Sequence, residues 1–248
     1  MMIAKFNILG SPVNAMNMET CCAEVEHALD AKAKGYVCVT GVHGLTEAYE
    51  QPEFREILQK AFLVTPDGMP LSWIGWIKGF KEMDRVYGPD LMLEVLRRGV
   101  GTGWKHFLYG GASGVAEQLK AALEEKVPGV KIAGTYCPPF RALTAEEDLR
   151  LIAQVEAIKP DVIWVGLSTP KQERFMSAYL DRLSTTLMFG VGAAFDFHAG
   201  LVKQAPRWMR RLGLEWLFRV IQEPKRLGGR YFRNNPLFVW RFIKESVG

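Results

Sequence analysis

From about residue 17 to residue 190, short apolar runs alternate with helical patterns. That alternation restricts the chain to an α/β fold whose mainly parallel sheet is covered by helices on both faces. Six runs read as strands: Tyr36-Val37-Cys38-Val39-Thr40, Ala61-Phe62-Leu63-Val64, His106-Phe107-Leu108-Tyr109, Val130-Lys131-Ile132-Ala133, Asp161-Val162-Ile163-Trp164-Val165 and Thr186-Leu187-Met188-Phe189. Asn17 can cap a first helix running to about Lys34. Gly41-Val42-His43-Gly44 reads as a loop before a helix reaching about Lys60. A further helix holds Trp73, Ile74, Trp76 and Ile77. Pro89 and Pro170 fit the first turns of two more.

The pattern changes near Lys203. Beyond it the chain is helical, basic and aromatic, with no strand signal. Residues 203–248 hold eight Arg and three Lys against Glu215, Glu223 and Glu245, a net charge of +8, whereas the first 202 residues carry −4. The division implied is a core of residues 1–202 and a C-terminal helical appendage of residues 203–248. Arg207-Trp208-Met209-Arg210-Arg211, Leu214-Glu215-Trp216-Leu217-Phe218-Arg219 and Arg230-Tyr231-Phe232-Arg233 interleave arginine with apolar residues at helical spacing. A basic amphipathic segment of this kind can lie in an anionic membrane interface or hold a diphosphate. The plain alternative is a docked helix that buries Trp216 and Phe218 and leaves its arginines solvated. No run is long enough to span a bilayer, and Met1-Met2-Ile3-Ala4-Lys5 has no apolar signal core. The four cysteines lack disulfide or zinc spacing, and Cys21-Cys22 is expected to be half buried on a helix. Together these features point to a reducing, cytoplasmic setting.

Polar residues collect at the ends of the strands, where open α/β sheets bind ligands. Val64-Thr65-Pro66-Asp67-Gly68-Met69-Pro70 presents the Asp67 carboxylate there, a candidate general base. Pro-Asp-Gly is also an ordinary turn, and Asp a common helix cap. Gly110-Gly111-Ala112-Ser113-Gly114 can cradle a phosphate or simply make a tight turn, and it matches neither the dinucleotide fingerprint nor the P-loop. Gly166 to Arg174 places Gln172 near a strand end, and capping explains its Ser168, Thr169 and Pro170 better than it explains Gln172. Gly190-Val191-Gly192-Ala193-Ala194-Phe195-Asp196 lets a flat ligand approach the backbone, with Asp196 as an acceptor, or else packs tightly beside a solvated Asp. Of the four histidines, His43 alone sits at a strand end, and no metal-ligand spacing links them.

These segments resemble, in order and over nearly the whole chain, the WecG/TagA/CpsF glycosyltransferases (glycosyltransferase family 26). The matching stretches are Leu9-Gly10-Ser11-Pro12-Val13, Thr65 to Pro70, Arg85-Val86-Tyr87-Gly88-Pro89-Asp90-Leu91, Gly166 to Arg174, Gly190 to Asp196, and Ala205 through Leu227. The resemblance implies a Rossmann-like core with a mobile C-terminal appendage. It implies inverting transfer of a sugar from a nucleotide diphosphate donor, a UDP-sugar, to a polyprenyl-diphosphate-linked sugar. The products feed surface polysaccharides such as teichoic acid or exopolysaccharide. No cofactor and no metal is implied. By the same resemblance Asp67 is the base, Thr40 and Gln172 line the pocket, Arg85 binds acceptor or phosphate, and Asp196 contacts the nucleoside. Arg219, Arg226 and Arg230 face the leaving diphosphate. The family often shows Thr-x-Asn at the first strand end, whereas this chain has Thr40-Gly41-Val42 followed by His43. His43 is the substitute contact, and the donor is N-acetylmannosamine-type or glucose-type. The implied location is the inner face of a bacterial plasma membrane, held peripherally. The exposed side of the Trp73–Trp76 helix is a second surface for lipid or for a homo-oligomer contact, against the plainer reading of a core helix.

Two other classes compete. A noncatalytic UDP-sugar-binding protein would share the core and release no UDP. A nucleic-acid-binding α/β protein would explain the basic segment but not the polar strand ends, so no nucleic-acid partner is expected.

Overall fold

The computed structural model describes residues 3–247. Met1 and Met2, part of the start that shows no signal core, lie outside them. The chain opens with an antiparallel hairpin, β1 (Lys5–Ile8) and β2 (Ser11–Asn14). It continues through α1 (Met18–Asp30), β3 (Gly35–Thr40), α2 (Val42–Glu50), α3 (Pro52–Lys60), β4 (Leu63–Pro66), α4 (Met69–Ile77) and α5 (Gly88–Thr102). Next come β5 (Lys105–Gly110), α6 (Val115–Lys126), β6 (Lys131–Tyr136), α7 (Ala145–Ile158), β7 (Val162–Gly166), α8 (Lys171–Tyr179), β8 (Leu187–Gly190) and α9 (Ala194–His198). The C-terminal segment forms α10 (Arg207–Arg211), α11 (Glu215–Gln222) and α12 (Pro224–Val247). The larger sheet has the strand order β4-β3-β8-β7-β5-β6, and its register pairs are parallel. Strands β3, β4 and β8 are buried at every residue, as sheets covered on both faces require. The α/β expectation is met, with a helix after each strand of the larger sheet.

Several local expectations are corrected. The hairpin was not anticipated, because its turn residues Leu9 and Gly10 both have positive φ (52° and 73°), a geometry for which Leu is no signal. The first helix ends at Asp30 rather than near Lys34. Val42–Gly44 is the first turn of α2 and not a loop. The single helix expected up to Lys60 is two. Pro52 opens α3, and the residue before a proline is forced out of the helical region, so Gln51 is extended (φ −124°, ψ 99°). Cys21 and Cys22 are fully buried, not half buried. The helix carrying Trp73 and Trp76 is no plain core helix. Leu71 and Ile74 face inward, while Trp73, Trp76 and Ile77 remain 41%, 43% and 78% exposed.

Contacts divide the chain into two compact units. The first comprises residues 1–18, 39–87 and 204–248, the second residues 19–38 and 88–203. In the second unit, Trp164, Phe107, Phe189 and Phe195 are fully buried. Trp164 packs on Phe189 at 4.7 Å between ring centres and donates its indole N–H to His106 Nδ1 at 3.3 Å. Burial pushes the His106 pKa down to about 3, so this histidine is a neutral core residue. In the first unit, α12 packs on α2 and on α11. Residues 204–248 therefore belong to the same compact unit as the segment carrying Asp67. Among the described residues, no helix is long and apolar enough to cross a membrane.

Candidate active site

Asp67 directly follows β4, and its backbone is clamped on both sides. Its N–H donates to the Thr40 carbonyl at 2.9 Å, and its carbonyl accepts from Arg85 Nε. The Val86 N–H donates to the Pro66 carbonyl at 2.8 Å, tying the same two segments together. Thr40 meets Asp67 through its main-chain carbonyl, and the residue as a whole is buried. The Asp67 side chain is 33% exposed. A carboxylate on a pinned backbone, one third open to solvent, is chemically able to accept a proton from a hydroxyl brought within hydrogen-bond reach.

The guanidinium beside it is shared. Arg85 Nη2 lies 2.7 Å from Glu215 Oε2 and 3.7 Å from Asp67 Oδ1. The Tyr87 hydroxyl donates to Glu215 Oε1 at 3.0 Å. The Arg85 guanidinium sits 4.1 Å from the centre of the Tyr87 ring, and Arg210 approaches the same ring at 5.2 Å. Burial alone would lower the Arg85 pKa, but Asp67 and Glu215 more than offset it and raise the value. Burial, reinforced by Glu215 and Asp67, keeps the Tyr87 hydroxyl protonated far above its ordinary range. Tyr87 and Glu215 were not singled out as site residues from the sequence. Both stand inside quoted motifs. Residues 85 and 87 are two apart on a non-helical stretch, a spacing that can place both side chains on one side.

The three arginines assigned to the diphosphate do gather. Arg226 makes a two-pronged contact with Glu223, at 2.5 and 2.6 Å, which holds that carboxyl below its usual range, and Arg219 and Arg230 lower it further. Arg219 Nη1 reaches the Tyr231 hydroxyl at 3.5 Å. Burial lowers the Arg230 pKa, and so do its neighbours Arg219 and Arg226. Arg230 Nε is buried without a hydrogen-bond partner. Like charges held this close favour an added anion between them. The His43 Nδ1 is 2.7 Å from Asn234 Nδ2 of α12 and 3.7 Å from Glu47 Oε1.

Gln172 and Asp196 belong to the second unit. Gln172 follows β7 in the first turn of α8 and is buried, its amide donating to Glu173 Oε1 at 3.1 Å. Thr169 donates to the same oxygen at 2.8 Å. Burial raises the Glu173 pKa, and those hydrogen bonds oppose the rise. A Cβ on Gly192 would lie 3.4 Å from Gln172 Oε1, so the glycine loop after β8 runs directly over this amide. Asp196 lies in α9, half buried, six residues beyond Gly190 at the end of β8. Among the described residues, no group of three or more His, Cys, Asp or Glu side chains could hold a metal ion.

Residues 6–248 match the model of the glycosyl transferase WecG/TagA/CpsF family. Three similar curated proteins carry the name N-acetylglucosaminyldiphosphoundecaprenol N-acetyl-beta-D-mannosaminyltransferase. The one from Bacillus subtilis (strain 168) is 29% identical over 224 residues, 89% of this chain and 84% of the relative. The one from Bacillus spizizenii (strain ATCC 23059 / NRRL B-14472 / W23) is 30% identical over 201 residues, 81% of this chain and 75% of the relative. The third, from Staphylococcus aureus (strain MW2), is 28% identical over 198 residues, 78% and 73% of the two chains. With a family match along almost its entire length and relatives that share its extent, this chain belongs to the WecG/TagA/CpsF family of glycosyltransferases.

Proposed function

We propose that the protein transfers a hexose, of the N-acetylmannosamine or glucose type, from a UDP-sugar to a polyprenyl-diphosphate-linked acceptor sugar, with inversion. The names of the similar proteins support the lipid-linked acceptor. The observation that carries the reading is the clamped, partly exposed Asp67 beside a shared guanidinium. Asp67 removes the proton of the acceptor hydroxyl. The freed oxygen attacks the anomeric carbon, the bond from that carbon to the UDP oxygen breaks, and its electron pair leaves with UDP. Arg219, Arg226 and Arg230 take up the charge that develops on the diphosphate. Thr40 and Gln172 line the pocket, Asp196 contacts the nucleoside, His43 stands in for the family's asparagine, and Arg85 binds acceptor or phosphate.

The test is a thermal-shift panel of UDP-sugars followed by UDP-release assays with polyprenyl-diphosphate acceptors. The expected result is stabilisation by one UDP-hexose and UDP release that needs the lipid acceptor. Donor binding with no release for any acceptor would assign the chain to noncatalytic binding instead.

The catalytic core of residues 1–202 works with residues 203–248 at the inner face of the plasma membrane. Trp208, Leu212, Ile221, Phe232, Trp240 and Ile243 are exposed apolar side chains of this segment, interspersed with bases. Each base near an anionic leaflet contributes about 1 kcal/mol, roughly fivefold in partition. Replacing the exposed Arg207, Arg211 and Lys225 by Gln should therefore lower binding to phosphatidylglycerol vesicles about a hundredfold in a sedimentation assay. Unchanged binding would remove this segment as the attachment.

A further inference from the structure

Glu215 is the first residue of α11 and is buried, yet no step of the proposed reaction uses it. Through it the C-terminal segment touches Arg85, the group beside the general base. Two carboxylates compete for one guanidinium. Glu215 takes Arg85 Nη2 at 2.7 Å, while Asp67 Oδ1 stands 3.7 Å from the same nitrogen. The Glu215 carboxylate is itself fixed, by the Tyr87 hydroxyl at 3.0 Å and by its place in the first turn of a helix, where the backbone dipole favours negative charge. We propose that Glu215 is a positioning residue that holds Arg85 off the Asp67 carboxylate and so keeps that carboxylate basic enough to accept a proton.

The physical argument is a comparison of two states. With Glu215 charged, Arg85 serves Asp67 through the backbone carbonyl and meets its side chain at long range. With that charge removed, Asp67 is the anion next to Arg85, and the guanidinium closes on it. A tight Asp–Arg pair depresses the carboxyl pKa by about one to three units and ties up its oxygens. Removing a neighbouring negative charge acts in the same direction. The charged and titratable groups gathered around Asp67 include Arg85 and Tyr87, from the segment between α4 and α5, and Glu215 of α11, with Arg210 of α10 5.2 Å from the Tyr87 ring. Because Glu215 enters from the C-terminal segment, placement of α11 and basicity of Asp67 are one coupled property.

The inference rests on Asp67 as the base, so the experiment reads the carboxyl directly as well as through turnover. Carbon-detected NMR titration of the Asp67 side chain, assigned with Asp67→Asn, is run on the full chain and on Glu215→Gln. The amide keeps the shape and loses the charge. The expected result is an Asp67 pKa lower by about one unit or more in Glu215→Gln. In parallel the acid limb of kcat against pH moves down, and kcat falls more than the donor KM rises. Glu215→Asp retains the charge one methylene short, and its Asp67 titration should fall by a smaller amount in the same direction. That variant also decides the case in which Glu215→Gln does not fold. An Asp67 titration that is unchanged or raised in these variants overturns the inference. A lowered titration in a protein that shows no turnover at all would keep this coupling and overturn the transferase reading instead.

Discussion

Asp67→Asn should lower turnover by about 10²–10⁴-fold, the usual contribution of a positioned general base. UDP-sugar binding, followed by calorimetry or by the ligand-induced melting shift, should stay near the wild-type value. The expectation follows from how the residue is held. Its main-chain N–H and carbonyl are engaged by the Thr40 carbonyl and by Arg85, and neither contact needs the carboxylate. An Asn of nearly the same shape therefore keeps the loop in place. It loses the one property at issue, because an amide oxygen does not accept a proton near neutral pH. The Arg85–Glu215 pair, at 2.7 Å, remains to hold the guanidinium. A variant that turns over within tenfold of wild type would end the role of Asp67 as base.

The strands of the larger sheet and the polar residues at their ends were visible in the chain because both are local. A buried strand is a continuous run of β-formers, and its end is marked by Gly, Pro or Asp. The organisation of the site was not local. Nothing in the spacing of Arg85, Tyr87 and Glu215 says that one guanidinium is divided between two carboxylates 148 residues apart in the chain (positions 67 and 215). Likewise, nothing in the sequence around His43 says that its Nδ1 lies 2.7 Å from Asn234 Nδ2 of α12, 191 residues on. Local pattern also misled where a backbone requirement contradicted residue preference. Leu9 adopts φ 52° in the β1–β2 turn, and a helical run across residues 42–60 is cut at Gln51 by the proline after it. The arginines near the C-terminus illustrate the mixed case. Their abundance was plain, whereas their convergence on Glu223 depends on how α11 meets α12.

Gly110→Ala should cost roughly 2–4 kcal/mol, whereas Gly114→Ala, four residues on in the same turn, should cost about 1–2 kcal/mol. Both glycines have positive φ, 130° and 79°. The difference lies in what a methyl group would meet. At Gly110 it would stand 2.6 Å from the carbonyl oxygen of Gly166 and 2.9 Å from its Cα, because these two residues are register partners at the ends of β5 and β7. Those neighbours are main chain and cannot swing aside. Gly166 in turn has the Phe195 ring 2.4 Å from where its own Cβ would be, and Phe195 is fully buried, so β7 cannot retreat from an enlarged residue 110. At Gly114 a methyl group would enter open space, leaving the backbone conformation as the whole penalty. At about 2–4 °C per kcal/mol for a chain of this size, Gly110→Ala should melt roughly 5–15 °C below wild type. The pair also separates the two readings of the glycine loop. Close strand packing alone predicts that Gly114→Ala leaves UDP-sugar affinity intact, whereas a phosphate cradle predicts that it weakens binding without matching the loss of stability at Gly110. If Gly110→Ala melts no lower than Gly114→Ala, the contact between the ends of β5 and β7 does not set the geometry of this turn.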